Sequence, residues 1–340
     1  MQVDELTVCP GTLAQGFSTY SPGCLRQVFN GRKVSHILPY FNSPNHEASR
    51  LLFVDNRQRI SISGVQLKLS LLSVKNKLRL THKGEQGSYI LKPIPHDLRH
   101  ASQVPANEHL TMQIAKQVYK LNVAENALVF FKDGIPAYLT KRFDIKSDGT
   151  KYAMEDFASL AQRSSQNYGP NYKYDYSYEQ MARLIKKFVP AWRIEIEKFY
   201  SIILFNYLFS NGDAHLKNFS LLETDSGDYF LSPAYDLVNT SLHIDDNQLA
   251  LDEGLFADGY ETESFKINGY YAYDDFYEFA LKIGIAANRI MKILNKFTQP
   301  YTASDDLIKK SFLNETSKKA YHSSFKQRLK ALNYSYKPKK

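Results

Sequence analysis

A chain of 340 residues with 43% apolar and 14% aromatic side chains is long enough to bury two cores and too apolar to be a disordered segment. Its formal charge of +8 suits an acidic partner, whether nucleotide, nucleic acid or protein, and suits equally a basic surface without a dedicated ligand. The longest near-continuous apolar run, residues 199–209, carries Ser201 and Asn206 and is too short to span a bilayer. Asp4 and Glu5 stand where a signal peptide would be apolar, and Cys9 and Cys24 form neither a disulfide framework nor a zinc spacing, so a cytoplasmic setting without membrane contact is expected.

In chain order, residues 1–57 are rich in Gly, Ser, Asn and Pro and read as an irregular segment with short helices. Residues 58–150 read as strands with one helix among them. The stretch 66–71 alternates polar and apolar side chains, and strands at 78–80 and 88–92 follow on either side of the turn-rich 83–87. A helix is expected over 105–119, where Leu110, Ile114, Ala115 and Val118 recur at helical spacing. A hairpin of 127–131 and 135–140 turns at Lys132-Asp133-Gly134. From 151 onward the period is helical: 155–162, 178–188 and 194–209 all read as helices, the last apolar on nearly every face from Phe199 and so central to its domain. Ser210-Asn211-Gly212 ends it. A second hairpin pairs 219–222 with 229–232 around 225–228, and 274–333 returns to helix. The expectation is an α+β fold with a β-rich first lobe and a mostly helical second lobe.

The chemistry concentrates in a few places. Asp213 and Asn218 lie five residues apart just beyond the central helix, and Asp236 follows the second hairpin. Phosphotransfer needs one Asp to orient an acceptor hydroxyl, and an Asn and a second Asp to hold Mg²⁺ against nucleotide phosphates. His215 and Lys217 flank Leu216 in the same loop, placed to contact the γ-phosphate or to stabilise the loop. Lys92 ends an apolar strand and needs an anion, either a phosphate or Glu108 on the next helix. In Ser61-Ile62-Ser63-Gly64-Val65-Gln66, one glycine and small neighbours allow backbone amides to approach phosphate oxygens, and the two hydroxyls are candidates for phosphorylation. Residues 138–144 read as an inter-lobe strand, and 172–176, with alternating tyrosines, as a flexible, substrate-facing insertion. Trp192, His36 and His243 read as structural.

Taken together, SISGVQLK at 61–68, Tyr89-Ile90-Leu91-Lys92-Pro93, Asn107-Glu108, Lys141-Arg142-Phe143-Asp144, Glu155-Asp156-Phe157, NGDAHLKN at 211–218 and LSPAYD at 231–236 occur in the order of the HipA-type serine/threonine kinases, the toxins of bacterial toxin–antitoxin modules. The resemblance covers roughly residues 57–260. It implies a protein-kinase-like fold using ATP and Mg²⁺. It makes Asp213 the catalytic base, Asn218 and Asp236 the metal ligands, and Lys92 a phosphate ligand. Lys141 and Phe143 supply hinge backbone to adenine. The loop carrying Ser63, Gly64, Val65 and Gln66 covers the phosphates, with Ser61 and Ser63 as autophosphorylation positions. Only about sixty residues precede that loop, whereas longer members carry an additional small domain of about a hundred residues. In this respect the chain resembles the compact HipT form, whose partners are a HipS-like small protein and a HipB-like DNA-binding antitoxin. The family's protein substrates are aminoacyl-tRNA synthetases. Two other expectations stay open: a catalytically quiet component of an antitoxin–DNA repressor complex, and a small-molecule kinase on the same fold.

Overall fold

The computed structural model describes residues 6–42 and 67–336. They form two compact units. The first is built from residues up to Gln113, Ala124–Thr150 and Asp306–Lys318; the second from Ile114–Val123, Lys151–Asp305 and Lys319 onward. Relative to a single boundary near residue 150, the first unit cedes 114–123 and gains 306–318.

The first unit is organised by a five-stranded antiparallel sheet. Its strands are β1 (Leu69–Val74), β2 (Lys77–Leu80), β3 (Tyr89–Lys92), β4 (Asn126–Phe130) and β5 (Pro136–Lys141), in the order β2-β1-β3-β5-β4. Side chains alternate between the faces of a strand. Leu69, Leu91 and Leu139 are register partners across three strands and fall in one core with Leu71, Leu78, Ala127, Val129 and Ala137. The N-terminal segment covers this core. Its helix α1 (Pro22–Phe29) starts at Ser21, whose side chain caps Cys24 N–H, and stops at Asn30 in the left-handed conformation. Cys9, Tyr20, Cys24, Val28 and Phe29 are buried in the sheet's own core. The Tyr20 hydroxyl donates to Leu128 O (2.8 Å) and the Tyr89 hydroxyl to Val28 O (3.0 Å). A segment that reads as irregular is thus integral to the unit. Helix α2 (Val104–Gln117) lies toward the other face, to which Lys92 and its cross-strand partner Tyr138 point.

The second unit is built around one long, largely buried helix that several short elements precede. Strand β6 (Met154–Asp156) leads into α3 (Phe157–Leu160), then α4 (Ser165–Tyr168) and α5 (Tyr178–Phe188). The expected helix over 155–162 is therefore shortened to one turn, 157–160: Met154, Glu155 and Asp156 pair with a strand, and the Asp156 side chain caps that turn by accepting from Ser159 N–H (2.9 Å). By contrast α5 has the expected bounds, fixed by a capping box between Ser177 and Gln180. Helix α6 (Trp192–Leu208) is buried almost throughout its second half. Phe199 stacks on Phe157, and Phe205 meets Tyr119. Buried Glu195 uses one carboxylate oxygen to accept from Lys198 (2.7 Å) and the other to accept from Leu231 N–H (3.1 Å). Leu231 belongs to the hairpin β7 (Ser220–Glu223) and β8 (Tyr229–Leu231), which completes a three-stranded β6-β7-β8 sheet. Helices α7 (Glu263–Asn268), α8 (Tyr273–Lys282), α9 (Ala287–Thr298), α10 (Thr302–Lys310) and α11 (Glu315–Asn333) follow. Among the described residues no helix is long and apolar enough to cross a membrane.

Phe199 is fully buried among the rings of Phe157 in α3, Tyr178 in α5 and Phe219 just before β7. Phe199→Ala should lower unfolding stability by about 3–5 kcal/mol, read as a reduced urea midpoint at unchanged m-value.

Candidate active site

In the second unit, the loop after α6 carries Asp213. The helix hands over at Ser210, which adopts a left-handed φ of 51°. The Ser210 carbonyl accepts from both the amide (3.0 Å) and the hydroxyl (2.9 Å) of Thr240. The same hydroxyl accepts from Gly212 N–H (2.8 Å) and meets the Asp246 carboxyl group. A side chain at position 212 would collide with Asp246 and with the Asn247 carbonyl, so the close approach requires glycine. Burial pushes Asp246 above its ordinary carboxylate range.

Asn211 ties this turn to the second acid. Its side-chain amide donates to Asn206 Oδ1 (2.9 Å) and to Asp236 O (3.4 Å), and its Oδ1 accepts from Asp213 N–H (3.3 Å). On the other side of Asp213, the Tyr178 hydroxyl donates to Ala214 O (2.9 Å). Phe219 is gripped by Phe199 and Tyr178, its carbonyl accepting from Phe157 N–H (3.1 Å). Between these anchors a short 3-10 turn, Leu216–Asn218, presents Asn218, whose side-chain oxygen accepts from His215 N–H (3.3 Å). The Tyr235 hydroxyl donates to Lys217 O (3.0 Å), tying the residue before Asp236 to the residue before Asn218. Asp236 itself sits at φ 56°, a conformation costly for a non-glycine residue and tolerated where surrounding structure enforces it.

The side chains differ in what they offer. Asp213 is 46% exposed; its Oδ1 accepts from the Tyr174 hydroxyl (2.7 Å) and lies 3.7 Å from His215 Nε2. His215 is buried, which lowers its pKa to about 4, so the ring is neutral at neutral pH and can act on an anion only as a hydrogen-bond donor. Lys217 is exposed. No cluster of three or more His, Cys, Asp or Glu suited to a metal occurs among the described residues. The expected donors for a cation at this loop are the amide oxygen of Asn218 and the carboxylate of Asp236. Two hard oxygen ligands fit Mg²⁺, which fills its remaining positions with phosphate and water.

In the first unit, Lys92 Nζ lies 2.6 Å from Glu108 Oε1, and both side chains are only 4% exposed. The ammonium also lies 5.3 Å from the centroid of the Tyr138 ring. Lys141 is arranged differently from expectation. Its amide donates to Glu125 O (2.7 Å), and its ammonium donates to Asn30 Oδ1 (2.6 Å) and Gln27 O (3.3 Å). The Lys141 N–H is therefore committed within the unit. Phe143 is half-buried beside the Arg142–Asp144 ion pair. Ser61, Ser63, Gly64, Val65 and Gln66 lie outside the described residues.

Several residues in the loop's framework were not singled out from the sequence: Tyr174, Tyr178, Tyr235, Thr240 and Asp246. The segment around Tyr174 is tied down, not a free insertion. Lys173 O accepts from Leu216 N–H (3.1 Å) and Tyr174 O from Asp252 N–H (2.9 Å). The alternating tyrosines of 172–176 were the available signal, but nothing local says which one meets Asp213.

Comparison with known proteins follows the same lines. The family model for the HipA-like C-terminal domain matches residues 60–304. A Haemophilus influenzae protein described as "Putative kinase" is 29% identical over 347 residues, covering 95% of each chain. The Shewanella oneidensis serine/threonine-protein kinase toxin HipA is 27% identical over 213 residues, 58% of this chain and 47% of that protein. A solved chain from the Shewanella oneidensis HipA, HipB and operator DNA complex superposes with a TM-score of 0.59 at 22% identity, over 79% of this chain and 63% of that one. The chain thus spans nearly all of the Haemophilus relative but about half of the Shewanella toxin. The shared fold is the α+β kinase-like one.

Two outcomes follow from the buried charges. Lys92→Met removes the ammonium that lies 2.6 Å from the buried Glu108 carboxylate and should cost about 3–5 kcal/mol, whereas Lys92→Met with Glu108→Leu should recover most of that stability, measured by urea unfolding. Burial also lowers the pKa of His109 to about 4, like that of His215. The unfolded chain binds those protons near pH 6.5 and the folded chain only near 4. Stability should therefore hold above about pH 6.5 and decline as pH falls toward 4. Replacing His109 by Gln should flatten that decline in a series of urea midpoints against pH.

Proposed function

The chain belongs to the HipA-like family through its C-terminal domain, and from that premise we propose that it is an ATP- and Mg²⁺-dependent serine/threonine protein kinase acting as the toxin of a bacterial toxin–antitoxin module. The assignment rests on the 211–218 loop. A half-exposed carboxylate, Asp213, projects from a backbone pinned on both sides, with Asn218 and Asp236 joined to the same framework through Asn211 and Tyr235.

Each residue then has a chemical task. Asp213 accepts the hydrogen bond of the acceptor hydroxyl and takes its proton as the phosphoryl group transfers. Asn218 and Asp236 hold Mg²⁺, which when bound neutralises charge on the phosphates. Lys92, oriented by Glu108, binds phosphate oxygens. His215 stays neutral and supports the loop or donates a hydrogen bond. Lys217 adds positive charge at the surface. Lys141 and Phe143 contribute backbone to adenine, Lys141 through its carbonyl because its amide is already bonded to Glu125. The loop at 63–66 covers the phosphates, and phosphorylation of Ser61 or Ser63 places about −1.5 to −2 charge beside them, which lowers ATP affinity and switches the kinase off.

The Shewanella relative was solved with HipB and operator DNA, and a DNA-binding antitoxin of that kind is the proposed partner here. The proposal extends to a HipBST-like arrangement, with a HipS-like small protein as a further partner. An aminoacyl-tRNA synthetase is the proposed substrate, its phosphorylation arresting translation.

Incubation with labelled ATP, Mg²⁺ and a cell lysate should label a synthetase-sized band. Asp213→Asn should reduce that labelling by at least about 100-fold with the fold retained. Asp236→Asn should weaken Mg²⁺-ATP binding measured by calorimetry. Turnover that leaves all protein unlabelled would make the chain a small-molecule kinase, and no turnover would make it a quiet component of a repressor complex.

A further inference from the structure

The two oxygens of Asp213 are not equivalent. Oδ1 is engaged by the Tyr174 hydroxyl at 2.7 Å and faces His215 Nε2 at 3.7 Å, whereas no hydrogen bond to Oδ2 is present among the described residues. The side chain is 46% exposed, with Oδ1 the oxygen that is engaged. A carboxylate on a free side chain rotates and presents either oxygen. Here a phenol fixes the rotation.

Tyr174 is itself fixed. Its ring lies edge-on to His215 with centroids 5.1 Å apart, and its carbonyl accepts from Asp252 N–H (2.9 Å). The neighbouring residues are clamped by Arg163. That guanidinium pairs with Asp175 and lies over the rings of Tyr168 (4.2 Å) and Tyr176 (4.9 Å). Burial and the adjacent Asp213 charge push the Tyr174 phenol well above its ordinary pKa, so it keeps its proton and acts as a donor at all physiological pH values.

Building on the kinase assignment above, we propose that Tyr174 is a positioning residue for phosphotransfer: it donates to Oδ1 of Asp213 and thereby reserves Oδ2 for the acceptor hydroxyl. The phenol takes no part in bond making. It removes a rotation that would otherwise have to be frozen on the way to the transition state, where small misplacements are costly.

The test uses the full chain with γ-labelled ATP and Mg²⁺, following transfer to the chain itself and to dephosphorylated casein under single-turnover conditions. Tyr174→Phe keeps the ring against His215 and removes only the donor. Its transfer rate should fall about tenfold or more while the ATP KM stays unchanged. Arg163→Gln, which loosens the clamp without touching Asp213 or Tyr174, should produce a smaller loss of the same kind. In the Asp213→Asn background, Tyr174→Phe should cause no additional loss, because its effect runs through that carboxylate. An unchanged rate in Tyr174→Phe overturns the proposal. A raised rate overturns it too, since the phenol would then be occupying the acceptor's place. A loss that persists in the Asp213→Asn background would mark Tyr174 as merely structural. A wild-type chain that transfers no phosphate at all would instead remove the kinase assignment, and the role of Tyr174 with it.

Discussion

The Thr240 hydroxyl is the point on which the geometry of the Asp213 loop turns. One side chain engages the last carbonyl of the α6 exit, the Gly212 amide of the loop and the half-buried Asp246 carboxyl group. Helix α6 cannot shift to accommodate changes there, because its second half is buried on all sides and interiors pack at near-crystalline density. The loop leaves a rigid helix, is stapled at Gly212, and is gripped again at Ala214 and Phe219. Asp213 therefore projects from a fixed backbone with only its own rotation left to settle. Electrostatic catalysis depends on such preorganisation, since groups already in place need not be reoriented as charge develops.

The first unit meets a different constraint. An ammonium 4% exposed cannot be left without an anion, and Glu108 supplies one at 2.6 Å. The pair costs desolvation at both ends, and an apolar pair of similar volume would serve the fold as well or better. Its presence makes sense for a group that must remain charged and aimed. Lys92 projects from the face of β3 opposite Leu91, so the sheet that packs its core with leucine also dictates the direction of the lysine. Packing and charge placement come from the same strand register.

Much of this was legible because it is local. The helix over 178–188, the apolar run of α6, and the Lys132-Asp133-Gly134 turn between β4 and β5 each declare themselves within a few residues. Asp213, Asn218 and Asp236 were singled out by their spacing and by the family resemblance. Other features depend on distant parts of the chain. The Tyr20–Leu128 hydrogen bond spans 108 residues, so the N-terminal segment looks irregular until the sheet it covers is known. The Tyr174–Asp213 bond spans 39 residues, and three tyrosines at alternate positions are indistinguishable in sequence. The expected helix over 155–162 is shortened to 157–160 for a third reason. Glu-Asp-Phe-Ala-Ser-Leu suits a helix throughout, but Asp156 caps one turn while its backbone pairs with Ser220, so tertiary pairing overrides local preference.

The central claim is that this framework transfers phosphate from ATP to a protein hydroxyl through Asp213. Phosphoamino-acid analysis of the purified chain after incubation with γ-labelled ATP and Mg²⁺ tests it most directly. The account predicts label on serine or threonine in the wild-type chain and none in Asp213→Asn. Label that appears equally in Asp213→Asn, or release of free phosphate with no labelled hydroxyl amino acid, would contradict it.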